Sequence, residues 1–128
     1  MKYLIDTNLF LYAAANEKEA VDFLGTALES EWTGYSTISR LKLFGFPDLK
    51  PGDEKKLKEL LGCFSEFAVT AEVVDRAIEV RRERRRIRVP DAIIAASALL
   101  MNAKLATRNI EDFKHIKGLQ VVDPFKLR

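Results

Sequence analysis

Tyr3-Leu4-Ile5-Asp6-Thr7-Asn8 is a short apolar run that stops on a carboxylate and then turns helical. A parallel strand buried on both faces reads as a continuous apolar run, and open α/β sheets gather ligands beyond the carboxyl ends of such strands. The stretch therefore predicts a buried strand that delivers Asp6 to the mouth of a site.

Outward from that strand, the spacing of Ala20, Val21, Leu24, Ala27 and Leu28 predicts a helix over 18–28, after a first apolar helix over 8–15. A second strand over 32–36 runs into a helix that Gly45-Phe46-Pro47 stops. Leu57, Leu60, Leu61 and Phe64 form the stripe of an amphipathic helix over about 54–63. Phe67-Ala68-Val69 reads as a third strand. Thr70 then caps a helix whose Val73, Val74, Ala77, Ile78 and Val80 face inward. Pro90-Asp91 opens a nearly uncharged helix to Met101, apolar on most faces and so central, with Asn102 at its end. Strands over 104–107 and 119–122 flank a polar helical turn over 109–115, and Gly118 breaks the connection. Strands alternating with helices predict an α/β sandwich whose sheet is mostly parallel and five-stranded.

The chain has 128 residues, 48% hydrophobic and 31% charged, which suits one domain spanning 1–128 with a proper core. Its single cysteine, Cys63, excludes an internal disulfide and reads as a buried thiol in a reducing cytosol. No apolar run nears the roughly 20 residues needed to cross a bilayer, and Met1-Lys2 leads straight into the strand; the expectation is a soluble, cytoplasmic protein. Net charge is only +2, yet 81–88 packs six arginines around Glu83 and Ile87.

Three segments bring acids to one sheet edge: Asp6 after the first strand, Asp91 at a helix start, and Asn109 to Asp112 after Ala106-Thr107. Oxygen ligands without clustered cysteine or histidine suit a hard cation such as Mg²⁺ or Mn²⁺ and disfavour zinc. Taken singly, Asp6 also suits a turn, Asp91 a helix start, and Asn109 a cap.

Leu4-Ile5-Asp6-Thr7-Asn8, Val89-Pro90-Asp91-Ala92-Ile93-Ile94-Ala95-Ala96 and Ala106-Thr107-Arg108-Asn109-Ile110-Glu111-Asp112-Phe113 together resemble the PIN domain, over nearly the whole chain. Gly118-Leu119-Gln120-Val121-Val122-Asp123-Pro124 is similar to the ending of VapC toxins, the small prokaryotic PIN-domain ribonucleases paired with VapB antitoxins. The resemblance implies a three-layer α/β/α sandwich and Mg²⁺- or Mn²⁺-dependent endoribonuclease chemistry. It further implies an RNA substrate, a VapB-like antitoxin and a homodimer in the prokaryotic cytoplasm. Asp6 and Asp91 match two metal-binding acids of the family. Asn109 stands where many members have Asp, and Asp112 supplies a carboxylate one turn on, so Asp6, Asp91 and Asp112 are the expected catalytic acids, with Asn109 assisting at the metal. Thr7, Asn8 and Thr107 match positions that orient the acids and metal-bound water, because a ligand that swings loses metal affinity.

One position departs from the pattern. Ser36-Thr37-Ile38-Ser39-Arg40-Leu41-Lys42-Leu43-Phe44-Gly45 resembles the segment that contributes a glutamate in the family, and Lys42 holds that place. A cation about 4 Å from a divalent ion repels it by several kcal/mol where screening is poor. The resemblance thus implies weakened or absent metal binding, with Lys42 able to pair with Asp6 and Asp91 in the metal's place.

An acidic site repels RNA and needs neighbouring cations, for which Arg40, Arg85, Arg86 and Arg108 are the candidates; a solvated, ion-paired arginine face is the plainer reading of the cluster. Trp32, Tyr35, Phe44 and Phe46 read as packing residues, and Leu9-Phe10-Leu11-Tyr12 as core, dimer surface or antitoxin groove. Two other functions compete: a catalytically silent PIN fold binding RNA or antitoxin, which Lys42 favours, and a phosphotransfer domain, which the lack of a GxxxxGK[ST] loop disfavours.

Overall fold

The computed structural model describes residues 1–83 and 86–126. Five strands, β1 (Lys2–Ile5), β2 (Trp32–Ser36), β3 (Ser65–Phe67), β4 (Lys104–Ala106) and β5 (Val121–Val122), form one sheet in the order β3-β2-β1-β4-β5, every pairing parallel. The helices are α1 (Thr7–Ala14), α2 (Lys18–Ala27), α3 (Thr37–Phe44), α4 (Pro51–Leu61), α5 (Ala71–Glu83), α6 (Val89–Met101) and the single turn α7 (Ile110–Phe113), before a 3-10 turn at Pro124–Lys126.

Successive residues of a strand point to opposite faces, and β1 uses this to build two cores. Leu4 packs with Val73, Ala77, Ile94 and Phe113 under α5 and α6; Ile5 packs with Leu9, Phe10, Leu24 and Leu57 under α1, α2 and α4. The result is the expected three-layer sandwich. Helix α6 is buried along Ala92, Ile94, Ala95, Ala96, Ser97 and Ala98, and Asn102 closes it in the left-handed conformation, φ 54°. On β2, Gly34 lies beneath the Trp32 ring with a Cβ position only 2.3 Å from the Ser65 carbonyl, so the β2–β3 pairing requires glycine there.

Several expectations need correction. Strand β3 is Ser65–Phe67 rather than 67–69, because the edge strand pairs Gly34 with Ser65 and leaves the sheet before Thr70, which caps α5 through Val73 N–H. Helix α4 starts at Pro51, where proline's fixed φ suits a first turn. Val74 and Ile78 face outward, since α5 meets α6 through the narrow stripe of Val73, Ala77 and Val80. Cys63 is exposed just beyond α4, and Phe46, 57% exposed, packs no core. Among the described residues, no helix is long and apolar enough to cross a membrane.

Candidate functional site

Chain order places β2 and β3 on one side of β1 and β4 and β5 on the other, so the connections diverge between β1 and β4. Such a switch point opens a crevice at the strand carboxyl ends. Ile5 pairs with Ala106, and the residues that leave the sheet next are Asp6 and Thr107.

Asp6 is 5% exposed. Its backbone N–H donates to the Ala106 carbonyl at 2.9 Å, Oδ1 accepts the Thr7 backbone N–H at 2.8 Å, and Oδ2 accepts the Thr107 hydroxyl at 2.7 Å. Asp6 is thus both the N-cap of α1 and the partner of β4's exit. Thr107 Oγ1 in turn accepts the Asn109 backbone N–H at 2.9 Å, and the Asn109 side-chain amide donates to Asp112 Oδ2. A continuous chain of hydrogen bonds therefore links Asp6 to the Asn109–Asp112 turn.

Asp91 enters from the first turn of α6, half-buried. Burial pushes the carboxyls of both Asp6 and Asp91 above their ordinary range. At Asp91 the Asp6 charge adds to the rise, and Asp112 adds to it at both. The Thr107 hydroxyl, Lys42 and the Thr7 N–H pull Asp6 back; Lys42 and Arg88 pull Asp91 back. The three expected acids and Lys42 therefore share one electrostatic site. Lys42 itself is exposed and, among the described residues, forms no ion pair with either acid, so the anticipated contact pairing does not occur. Its charge acts at range.

Thr7 and Asn8 behave differently from Thr107. The Thr7 hydroxyl hydrogen-bonds Ser39 Oγ at 2.8 Å, tying the start of α1 to the buried face of α3, while Asn8 is exposed beside the site. Ser39 lies three residues after the N-cap Ser36 and three before Lys42, and nothing in its type or spacing marks the contact with α1 that the fold gives it. Beside Asn8 and Lys42 a groove of about 440 Å³ runs between α1 and α4, lined by Leu11, Phe46, Leu49 and Leu57.

The candidate RNA contacts separate on inspection. Arg40 Nε lies 2.8 Å from Glu66 Oε1, and Glu66 also accepts the Thr37 hydroxyl at 2.7 Å. Arg86 is exposed, Arg85 lies outside the described residues, and Arg108 stacks on aromatic rings.

Octahedral Mg²⁺ demands oxygen ligands free to converge at about 2.1 Å. Here each Asp6 oxygen accepts one hydrogen bond and Asp112 accepts one from Asn109, which leaves lone pairs free on both carboxylates, while the Lys42 charge acts against a cation at range. Among the described residues no three Asp, Glu, His or Cys side chains form a ligand set. The carboxylates are the right donors for a hard cation, and the Lys42 charge in their field is what opposes one.

Comparison with solved structures gives close matches over nearly the whole chain. The VapBC2 complex of Rickettsia felis bound to a promoter DNA fragment is 26% identical, covers 96% of this chain and 98% of its own, and has a TM-score of 0.86. A toxin-antitoxin complex from Klebsiella pneumoniae is 28% identical over 98% of this chain and 99% of its own, TM-score 0.80. VapBC-1 from nontypeable Haemophilus influenzae, 24% identical over 98% of this chain and 100% of its own, TM-score 0.81, shares the fold. Comparison with curated proteins yields no match. The PIN domain model matches residues 3–119, through both flanks of the switch point and every acid described above, and the chain belongs to the PIN domain family.

Proposed function

We propose that this chain is a VapC-like toxin, a PIN-domain endoribonuclease that cleaves RNA phosphodiesters with Mg²⁺ or Mn²⁺, in which Lys42 impairs metal binding and cleavage. One observation carries the reading: Asp6, Asp91 and Asp112 lie in one another's field at the β1/β4 switch point, and Lys42 lies in the field of the first two. Asp6, Asp91 and Asp112 are the catalytic acids and metal ligands, Asn109 assists, and Thr107 orients Asp6. The similarity to toxin-antitoxin complexes from Rickettsia felis and Klebsiella pneumoniae supports the toxin role, a VapB-like antitoxin as partner and a prokaryotic cytoplasmic setting. A homodimer and an RNA substrate steered by exposed arginines complete the proposal.

The Lys42 charge also favours a second reading, a catalytically silent PIN fold that binds antitoxin or RNA. Cleavage of a mixed RNA panel with Mn²⁺ separates the two, using the wild type, Lys42→Glu, and Lys42→Glu with Asp6→Asn. Cutting by Lys42→Glu alone, abolished by Asp6→Asn, is the expected result. Equal cutting by the wild type refutes the impairment, and no cutting by any form, with RNA or antitoxin still bound, favours the silent fold.

A further inference from the structure

Arg108 follows Thr107 directly, and its side chain lies on a seat of two aromatic rings and a carboxylate. The guanidinium carbon lies 4.0 Å from the centre of the Phe125 ring and 5.0 Å from that of Tyr12, and the two rings meet edge to face at 5.3 Å. Nη1 stands 3.7 Å from Glu17 Oε2, a buried oxygen that accepts no hydrogen bond among the described residues. The two side chains are 47% and 42% exposed, so the pair is a solvent-screened contact that orients the guanidinium more than it stabilises the fold. Tyr12 belongs to α1, Glu17 to the turn before α2, and Phe125 to the C-terminal 3-10 turn, whose Phe125 N–H is held by Asp123 Oδ1 at 2.9 Å. Each part of this seat is anchored in a different element.

The segment so held is the one that reaches the acids. Thr107 N–H bonds to the Val122 carbonyl at 2.9 Å on one side of Arg108, and Asn109 N–H bonds to Thr107 Oγ1 on the other. A rotation of 107–109 would carry the Thr107 hydroxyl off Asp6. Stacking depends on the planar guanidinium, which lysine lacks, so charge alone cannot reproduce the seat.

We propose that Arg108 is a positioning residue of the acidic site and not a phosphate contact: stacked on Phe125 and Tyr12 and set against Glu17, it fixes 107–109 so that the Thr107 hydroxyl stays on Asp6. The assignment concerns the geometry of the site and holds whether or not the chain cleaves RNA.

Amide hydrogen exchange tests it in the intact protein, with Asn109 N–H as the reporter. Leu105 N–H, in β4 and bonded to the Gln120 carbonyl, serves as the internal reference. Arg108→Lys and Phe125→Leu each speed Asn109 exchange about tenfold relative to Leu105, as expected for a lost stack of guanidinium on ring, and Phe125→Tyr keeps the wild-type rate. Wild-type exchange in Arg108→Lys overturns the proposal. So does a fall of about one in the salt slope of poly(U) binding on Arg108→Gln with Asn109 exchange unchanged, the signature of a lost phosphate contact. Absence of cleavage or of RNA binding leaves the exchange result intact, so failure of the nuclease reading is told apart from failure of this one.

Discussion

Thr107→Val isolates the bond on which the acidic site turns. Valine preserves the side chain's shape, and Thr107 is fully buried, so little but the hydroxyl changes. That hydroxyl donates to Asp6 Oδ2 at 2.7 Å, inside a site where Asp6 is 5% exposed. A hydrogen bond to a charged group contributes about 1.5–3 kcal/mol, and the Asn109 N–H that also loses its acceptor turns to water at small cost. The expected loss is about 2–3 kcal/mol at pH 7.5, read as a shift in urea midpoint without a change in slope. The pH dependence has a definite sign. Burial already raises the Asp6 carboxyl above its ordinary range, the Thr107 hydroxyl opposes that rise, and the variant raises it further. A raised acid keeps its full stability below its unfolded value and loses it as pH climbs through the folded one, so the variant's deficit grows with pH through that window and shrinks on acidification. A double-mutant cycle with Asp6→Asn should give a coupling above about 1 kcal/mol at pH 7.5. A deficit below about 0.5 kcal/mol at both pH 7.5 and pH 4.5, or zero coupling, would refute the argument.

Lys42→Glu should lower the metal-free Tm by a few degrees, since an attraction to Asp6 and Asp91 becomes a repulsion, and millimolar Mn²⁺ should restore it; melts insensitive to Mn²⁺ would count against these acids as metal ligands. Gly34→Ala forces a methyl to within 2.3 Å of the Ser65 carbonyl and should cost about 2 kcal/mol or more, with amide exchange accelerated first along β3. Glu66 is held below the ordinary carboxylate range by the Thr37 hydroxyl and then by Arg40. Its contribution is therefore present above the unfolded value and lost as pH falls through the lower folded value, and the gap between wild type and Glu66→Gln in urea titrations should close below about pH 4.

The sheet and its acids were legible because their signals are local and unambiguous. Leu4-Ile5-Asp6 ends an apolar run on a charge, α6 carries apolar residues on nearly every face, and Asn102 tolerates the left-handed turn that stops it. What failed was partner choice across distance. The stripe of α5 is periodic enough to include Val74 and Ile78, but only contact with α6 decides how wide the buried face is. Strand β3 is an edge, so its pairing with β2, rather than its own hydrophobicity, sets its limits. The hydroxyl of Thr7 was read as an aid to the acids because nothing in sequence says that Ser39 lies within 2.8 Å of it. The seat of Arg108 is likewise made by residues far from it in both directions along the chain, which no local pattern shows.

The hydrogen bond between Asp6 and Thr107 spans 101 positions. Asp6 leaves a ribosome long before Thr107 does, so its second oxygen stays without its donor until β4 is inserted beside β1 and the C-terminal turn closes over Arg108. Contacts of such separation are slow to form and come late in folding. A nascent or truncated chain that ends before residue 104 holds Asp6 and Asp91 but neither Thr107 nor Asp112, so whatever chemistry the acids perform is withheld from the polysome that makes them.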